Sequence, residues 1–314
     1  MRHLRALVVS GMLVVALMLH AMEPALAQDR VLVPWQIITG GRLATKLDDN
    51  GFPLPGESQG FLAFTFPSSL AVRGSDLYVA DSGARKVFRF DSALQVLSVV
   101  HGIDAASWTR LQVGLDQSLF VLDAGSSTVL HFNRGGQLLE TLSGPQAAAN
   151  LAEFVVDDLS GQVVASDRRS RRRVVFNPLG WAKRPLDIAG EGALMSLGAL
   201  ASTGRNMYAI DKGCSCIVAI DEEGQVRERI GQGTLVQPHA LAVDHYGQLF
   251  VADGFNYTLR VYLHGELIAS YEARKLHITE FSALAVDEGA LYIADGPGGQ
   301  VVTFHIRPPS ERRQ

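Results

Sequence analysis

Short apolar runs rich in Val, Leu, Phe and Tyr alternate along the chain with turns of Gly, Asp, Ser and Asn, and no stretch after residue 28 shows a strong helical period. One run recurs with an Asp at its end: Leu77-Tyr78-Val79-Ala80-Asp81, Leu119-Phe120-Val121-Leu122-Asp123, Val163-Val164-Ala165-Ser166-Asp167, Met207-Tyr208-Ala209-Ile210-Asp211, Leu249-Phe250-Val251-Ala252-Asp253 and Leu291-Tyr292-Ile293-Ala294-Asp295. Subtracting successive Asp positions gives spacings of 42, 44, 44, 42 and 42, too regular for chance. Nine residues after each Asp stands Phe90, Phe132, Phe176, Ile220, Tyr262 or Phe304, reached through a polar or glycine-rich turn and a β-branched run. Before each Asp lies another apolar stretch, such as Leu70-Ala71-Val72 or Leu241-Ala242-Val243, and most repeats add a weaker fourth one, such as Leu138 to Leu142 or Leu267 to Tyr271.

Runs of this length bounded by turn residues read as antiparallel strands. Four strands in a repeat of about 43 residues define a propeller blade, and a blade must bury both faces against its neighbours in a closed ring. The expected fold is therefore all-β, a six-bladed β-propeller of four-stranded antiparallel blades. After Phe304 the chain has only Pro308-Pro309 and a charged tail, so the sixth repeat lacks an outer strand. Val31 to Ile38 has no inner strands of its own, and it is expected to close the last blade from the N-terminal side. Deleting residues 30–40 should then lower the melting temperature sharply.

The first residues stand apart from this pattern. A short basic start, Met1 to Arg5, precedes an apolar run from Ala6 to Leu19 and the small residues Ala25-Leu26-Ala27. That is the pattern of a secretory signal peptide, too short for a comfortable membrane span. The expected division is 1–27 signal peptide, 28–66 outer strand of the last blade plus connecting segment, 67–307 propeller and 308–314 charged tail. The mature protein is expected outside the cytoplasm, in the periplasm or beyond it, as a monomer without a further membrane span. In a chain of 314 residues, 47% hydrophobic and 19% charged, two cysteines cannot form a disulfide framework, so the core must hold the fold. The net charge of −4 argues against nucleic acid as a partner.

The stretch Pro238-His239-Ala240-Leu241-Ala242-Val243-Asp244, with Gly247 to Asp253, Asn256 and Leu259-Arg260-Val261-Tyr262, resembles an NHL repeat. Blades one and six match it well, two and four moderately, and three poorly. The resemblance spans nearly all of the mature chain and implies the fold; propellers of this kind serve as enzymes, binding platforms and scaffolds. It also implies where ligands sit: some members hold zinc with several channel histidines, and related lactonases hold calcium with channel carboxylates and amides. The start of each inner strand here carries Ser68, Thr109, Ala152, Gly198, His239 and Ser282. One histidine cannot make a zinc site, and hydroxyls with Glu153 as the nearest acid fall short of the oxygen ligands calcium needs. No cofactor is expected, with calcium or zinc as the exceptions to test.

The repeated Asp81, Asp123, Asp167, Asp211, Asp253 and Asp295 are read as structural acceptors for backbone N–H groups of the turn that follows them. The residues read as partner-binding are Trp108, Arg110, Glu153, His239, Tyr257 and the blade-three arginines Arg168, Arg169 and Arg171, since Arg and aromatic side chains dominate interface energetics. Arg85, Lys86, Lys212 and Phe255 lie in turns on the same face, where a solvated charged turn is the plain alternative. Cys214-Ser215-Cys216 is a candidate for a local disulfide or two free thiols, and Asp48-Asp49-Asn50-Gly51 for a turn. No catalytic residue is assigned, because no nucleophile elbow, metalloprotease motif, phosphate loop or Cys-x-x-Cys pair occurs. The function expected is non-catalytic binding or scaffolding of a protein or an anionic glycan or envelope component. The alternative is a hydrolase or lyase at the channel mouth.

Overall fold

The computed structural model describes residues 31–309, apart from 55, 107–108, 124, 144–149, 158–160, 168–171, 177–195, 204–205, 222–223 and 256. The repeat folds as six antiparallel blades. Their inner strands are Pro67–Arg73, Arg110–Val113, Leu151–Val156, Leu197–Ser202, Pro238–Val243 and Ala283–Asp287. The second strands, Asp76–Asp81, Leu119–Asp123, Val163–Asp167, Met207–Asp211, Leu249–Asp253 and Ala290–Asp295, each end on the repeated Asp. The third strands are Lys86–Asp91, Thr128–Phe132, Arg172–Phe176, Cys216–Ile220, Thr258–Leu263 and Gln300–Ile306. Outer strands follow at Val96–Val100, Leu138–Ser143, Val226–Ile230 and Glu266–Glu272; blade 3 shows three strands among the described residues. Each inner strand packs on the inner strands of both neighbours, blade 6 against blade 1 included, so the ring is closed.

Burial follows from that arrangement. A second strand has a blade on either side, which is why Asp76–Asp81 and Leu249–Asp253 are buried throughout and read as continuous apolar runs rather than alternating ones. An outer strand keeps one edge and much of its surface in water, as Leu138–Ser143 does. Six clusters of buried apolar side chains, one at each blade–blade interface, make up the core. Phe90, Phe132, Phe176, Ile220, Tyr262 and Phe304 are all buried in these clusters.

The chain closes the ring as its two ends suggest. Leu32–Ile38 pairs antiparallel with Gln300–Ile306, from Leu32 opposite Ile306 to Ile38 opposite Val301, and forms the outer strand of blade 6. Leu32 is fully buried there. The segment after it is more than a connection. Gly40–Ala44 pairs parallel to the outer strand of blade 1, and Ser58–Ala63 folds back on it, so blade 1 carries two extra strands. At Gly40 φ is +144°, and a Cβ would sit 2.0 Å from the Leu62 carbonyl oxygen, so only glycine fits this crossing between blades.

The loop 45–57 at the tip of this hairpin is clamped to blades 1 and 2. Asp48 Oδ1 accepts the backbone N–H groups of Asn50 at 2.9 Å and Phe52 at 2.8 Å, so Asp48 to Gly51 is a turn. The Phe52 ring lies between two guanidinium groups, 4.5 Å from Arg89 and 4.9 Å from Arg134. Arg134 Nε donates to the buried Asp76 carboxylate at 2.6 Å. Beside them, burial and then the Asp76 charge push the Tyr78 hydroxyl up to about 12. Burial does the same at Tyr292, again to about 12, with Asp287 and Glu288 adding to it.

Two outcomes follow. Removing residues 31–38 strips an outer strand and bares the blade 6 core, so the melting temperature should fall by roughly 10 °C or more; an unchanged melting point would refute the closure. The folded state keeps Tyr78 neutral beyond the ordinary tyrosine pKa of about 10. The stability this contributes is intact below pH 10 and is lost as pH rises from 10 towards 12, about 1 kcal/mol by pH 11 for Tyr78. Melts at pH 8 and pH 11 should show that loss, and Tyr78→Phe should reduce it.

Candidate functional site

Asp81, Asp211 and Asp295 each tie together two stretches of one face, here called the front face, where the inner strands begin. Asp81 Oδ2 accepts from the Thr65 N–H at 2.7 Å, and its Oδ1 from Phe66 and Ala84, both at 2.9 Å. Asp253 accepts from Val236 at 3.1 Å and Gln237 at 2.8 Å. Asp295 accepts from Thr279, Glu280 and Gly298 at 2.9–3.1 Å, and Asp211 from Ser196 and Gly213, both at 3.0 Å. Asp123 bonds Gly125 and Ser126 in its own turn, and Asp167 is fully buried beside residues that are not described. The turn after the Asp is thus half of the role. The carboxylate also holds the loop that enters the inner strand fifteen to seventeen residues upstream.

That tether leaves the second residue of several inner strands in a bulge. Register slips between Pro67 and Ser69, between Leu151 and Glu153, between Leu197 and Leu200 and between Pro238 and Ala240. A bulge re-aims its unpaired residue. The expected ring of Ser68, Thr109, Ala152, Gly198, His239 and Ser282 is corrected here: Ser68, Thr109 and Ala152 are buried rather than open to the channel. Ser68 Oγ donates to the Ala80 carbonyl at 3.2 Å, Thr109 Oγ1 accepts from Ala106 N–H at 3.0 Å, and Ser282 Oγ accepts from Gly296 N–H at 3.0 Å. These hydroxyls build loops. His239 alone of the six is exposed.

His239 stands in a front-face pocket of 480 Å³ spanning blades 4, 5 and 6, with Lys212, Gln237, Tyr257, Glu280 and Phe281 around it. His239 Nε2 lies 2.6 Å from the Phe281 carbonyl oxygen. A carbonyl only accepts, so Nε2 carries a proton, and in the neutral tautomer this leaves a lone pair on Nδ1. A Cβ on Gly254 would come within 3.3 Å of that Nδ1, so glycine makes room for the ring. Tyr257 is 55% exposed and has φ of +47°, and Phe255 beside it is 63% exposed. The pocket therefore offers a cation, a carboxylate, an imidazole acceptor and an aromatic face, which suits polar recognition more than acid–base work by a matched pair.

Of the other expected binding residues, the described pair Arg110 and Glu153 does not line this pocket. Arg110 Nε donates to both Glu153 oxygens at 3.1 Å, and Arg110 Nη1 to the Thr109 carbonyl at 3.1 Å, so the pair ties blade 2 to blade 3. Arg85 pairs with Asp104 at the surface. Trp108, Arg168, Arg169 and Arg171 lie outside the described residues. Cys214 and Cys216 are joined as a disulfide in the turn next to Lys212. Among the described residues, no three His, Cys, Asp or Glu side chains come together as metal ligands, and no helix is long and apolar enough to cross a membrane.

Ser215, Val236, Gln237 and Glu280 line the pocket, and sequence reading missed them. Their signal was position: they lie in the tethered loops just before an inner strand and in the turn just after a second strand. A second cavity of 260 Å³ opens on the back face, where Arg73, Asp244, His245, Asp287 and Glu288 stand at the ends of inner strands. There Asp287 Oδ2 accepts the Gly74 N–H at 2.6 Å, joining blades 6 and 1. Asp244 spends both oxygens on Tyr246 and Gln248 in its own turn.

No family profile and no curated protein matches the chain. Solved structures do. A protein of unknown function from Bacteroides thetaiotaomicron is 17% identical with a TM-score of 0.60, covering 87% of this chain and 76% of its own. A streptogramin B lyase is 10% identical with a TM-score of 0.56, covering 79% and 86%. The WD40 β-propeller domain of Doa1 is 11% identical with a TM-score of 0.56, covering 80% and 95%. These likenesses place the chain among β-propellers by fold, and its own six sheets set the number of blades.

Replacing Asp253 with Ala removes two charge-assisted bonds and leaves the Val236 and Gln237 N–H groups without their acceptor. It should cost about 3 kcal/mol of unfolding free energy in urea titration. A loss below about 0.5 kcal/mol, the range of ordinary surface changes, would show that the tether does not hold the loop.

Proposed function

We propose that this chain is an exported binding propeller of the NHL type that holds an anionic segment of a partner protein in the front-face pocket of blades 4, 5 and 6. The observation that carries this reading is the pocket itself: its 480 Å³ are lined by Lys212, His239, Tyr257 and Gln237, with Glu280 as the one carboxylate, side chains suited to grip rather than to turn over. The volume lies in the range of ordinary ligand sites. Lys212 supplies the charge for a carboxylate. Tyr257 supplies a large, half-exposed anchor held by a left-handed backbone, and His239 a single acceptor of fixed direction. The secretion pattern of residues 1–27 supports a partner outside the cytoplasm, in the envelope or beyond it.

The alternative is a lyase or hydrolase, which the likeness to a streptogramin B lyase and the free Nδ1 of His239 favour. In that case Nδ1 would take a proton from the substrate as general base. Capture from the native envelope separates the two. The binding reading expects Tyr257→Ala and Lys212→Glu each to cut recovery of the partner about tenfold, while Glu288→Lys on the back face leaves it unchanged. Equal recovery by all four proteins overturns binding at this pocket. Turnover of a lactone or ester that His239→Ala abolishes establishes the enzyme instead.

A further inference from the structure

The turn of blade 4 places a redox-active group where its chemistry is asymmetric. Cys214 is half-buried and Cys216 is fully buried, so an outside thiol can approach only the first. Arg229, on the outer strand of the same blade, holds Nη1 at 3.5 Å from Cys214 Sγ and 3.8 Å from Cys216 Sγ. Two other charged residues belong to the same turn. Asp211 lies 3.6 Å from Arg229 and opposes its effect, and Lys212 adjoins the turn on the solvent side. Ser215, between the two cysteines, has φ of +49°, the left-handed conformation that Arg85, Ser127 and Tyr257 also adopt at this position of the turn in their blades. Ser215 Oγ donates to the Val236 carbonyl at 2.9 Å, so the bridged turn fixes one wall of the front-face pocket.

We propose that the Cys214–Cys216 disulfide is a thiol–disulfide exchange site whose substrate is an external dithiol, with Cys214 the sulfur attacked and Arg229 stabilising the Cys216 thiolate that leaves. In the first step a thiolate of the dithiol bonds to Cys214 Sγ, the bond between the two cysteine sulfurs breaks, and its electron pair stays on Cys216 beside Arg229. In the second step the other thiolate of the dithiol attacks its own sulfur in the mixed disulfide and expels Cys214 as a thiolate. Two electrons pass to the protein, the dithiol becomes a disulfide, and solvent supplies a proton to each released thiolate that takes one. The reverse sequence reduces a disulfide partner and re-forms the bridge.

The test is dithiothreitol on the folded full-length protein at pH 7, with maleimide quenching, mass measurement and circular dichroism as a check on folding. The bridge should open without loss of the folded signal. Arg229→Gln should slow opening about tenfold and Arg229→Lys should restore most of the rate. Cys216→Ser should form a mixed disulfide with glutathione disulfide at Cys214, whereas Cys214→Ser should resist labelling until denaturant is added. This second pair of variants reads the asymmetry even if the Arg229 variants do not fold. Opening only on unfolding, equal rates with and without Arg229, or labelling of Cys216 in the folded protein overturns the proposal, whatever becomes of the pocket.

Discussion

The carboxylate that ends each second strand, buried in five of the six blades, is the constraint on which the front face depends. At Asp81 and Asp295 it accepts three backbone N–H groups drawn from two loops, one that precedes the inner strand and one that follows the Asp. A loop crossing from one blade to the next has N–H groups that no ladder satisfies, and burying them unpaired would cost about 1–3 kcal/mol each. The carboxylate removes that cost for several donors at once. In blades 1, 4, 5 and 6 it also fixes the loop from which the inner strand starts.

Cohesion of the ring has a different origin. Each cluster of the core belongs to two blades, so no blade can complete its own core and the ends of the chain must be tied. Leu32–Ile38 does this by adding a ladder to blade 6, and Gly40–Ala44 continues directly into blade 1. One extended stretch of chain therefore crosses the seam between the last blade and the first. The Phe52 ring between Arg89 and Arg134 then clamps the hairpin tip to blades 1 and 2, the far side of the same seam.

The blade count, the aromatic positions in the core and the N-terminal closure were all legible in the sequence, because a repeat states each of them six times or, at the ends, by omission. The hairpin 40–63 was not, since it occurs once and its strands are short and interrupted by glycine. The site was half legible. His239, Tyr257 and Lys212 are unusual residues at repeated positions and the structure brings them together. Arg110 and Glu153 looked equally unusual, yet they satisfy each other across blades 2 and 3, a pairing of residues 43 apart that no local pattern reveals. The hydroxyls of Ser68, Thr109 and Ser282 misled for the same reason: a residue type suited to binding is equally suited to capping a nearby backbone group.

That contrast locates function in a repeat protein. Where a blade keeps the repeat, the residues at the channel mouth are spent on the fold, as the buried Ser68 and Thr109 show. Blades 4 and 5 depart from it in concert. Lys212 follows its Asp where blade 1 has Ser82 and blades 5 and 6 have Gly254 and Gly296, and His239 occupies a bulge that blades 1, 3 and 4 fill with Ser68, Ala152 and Gly198. Gly254 leaves the imidazole its space, and Ser215, turned outward within the disulfide, reaches across to Val236. None of these changes improves the packing of its own blade. They meet only because the ring sets adjacent blades side by side, so the features that the fold does not require are the ones that build the pocket.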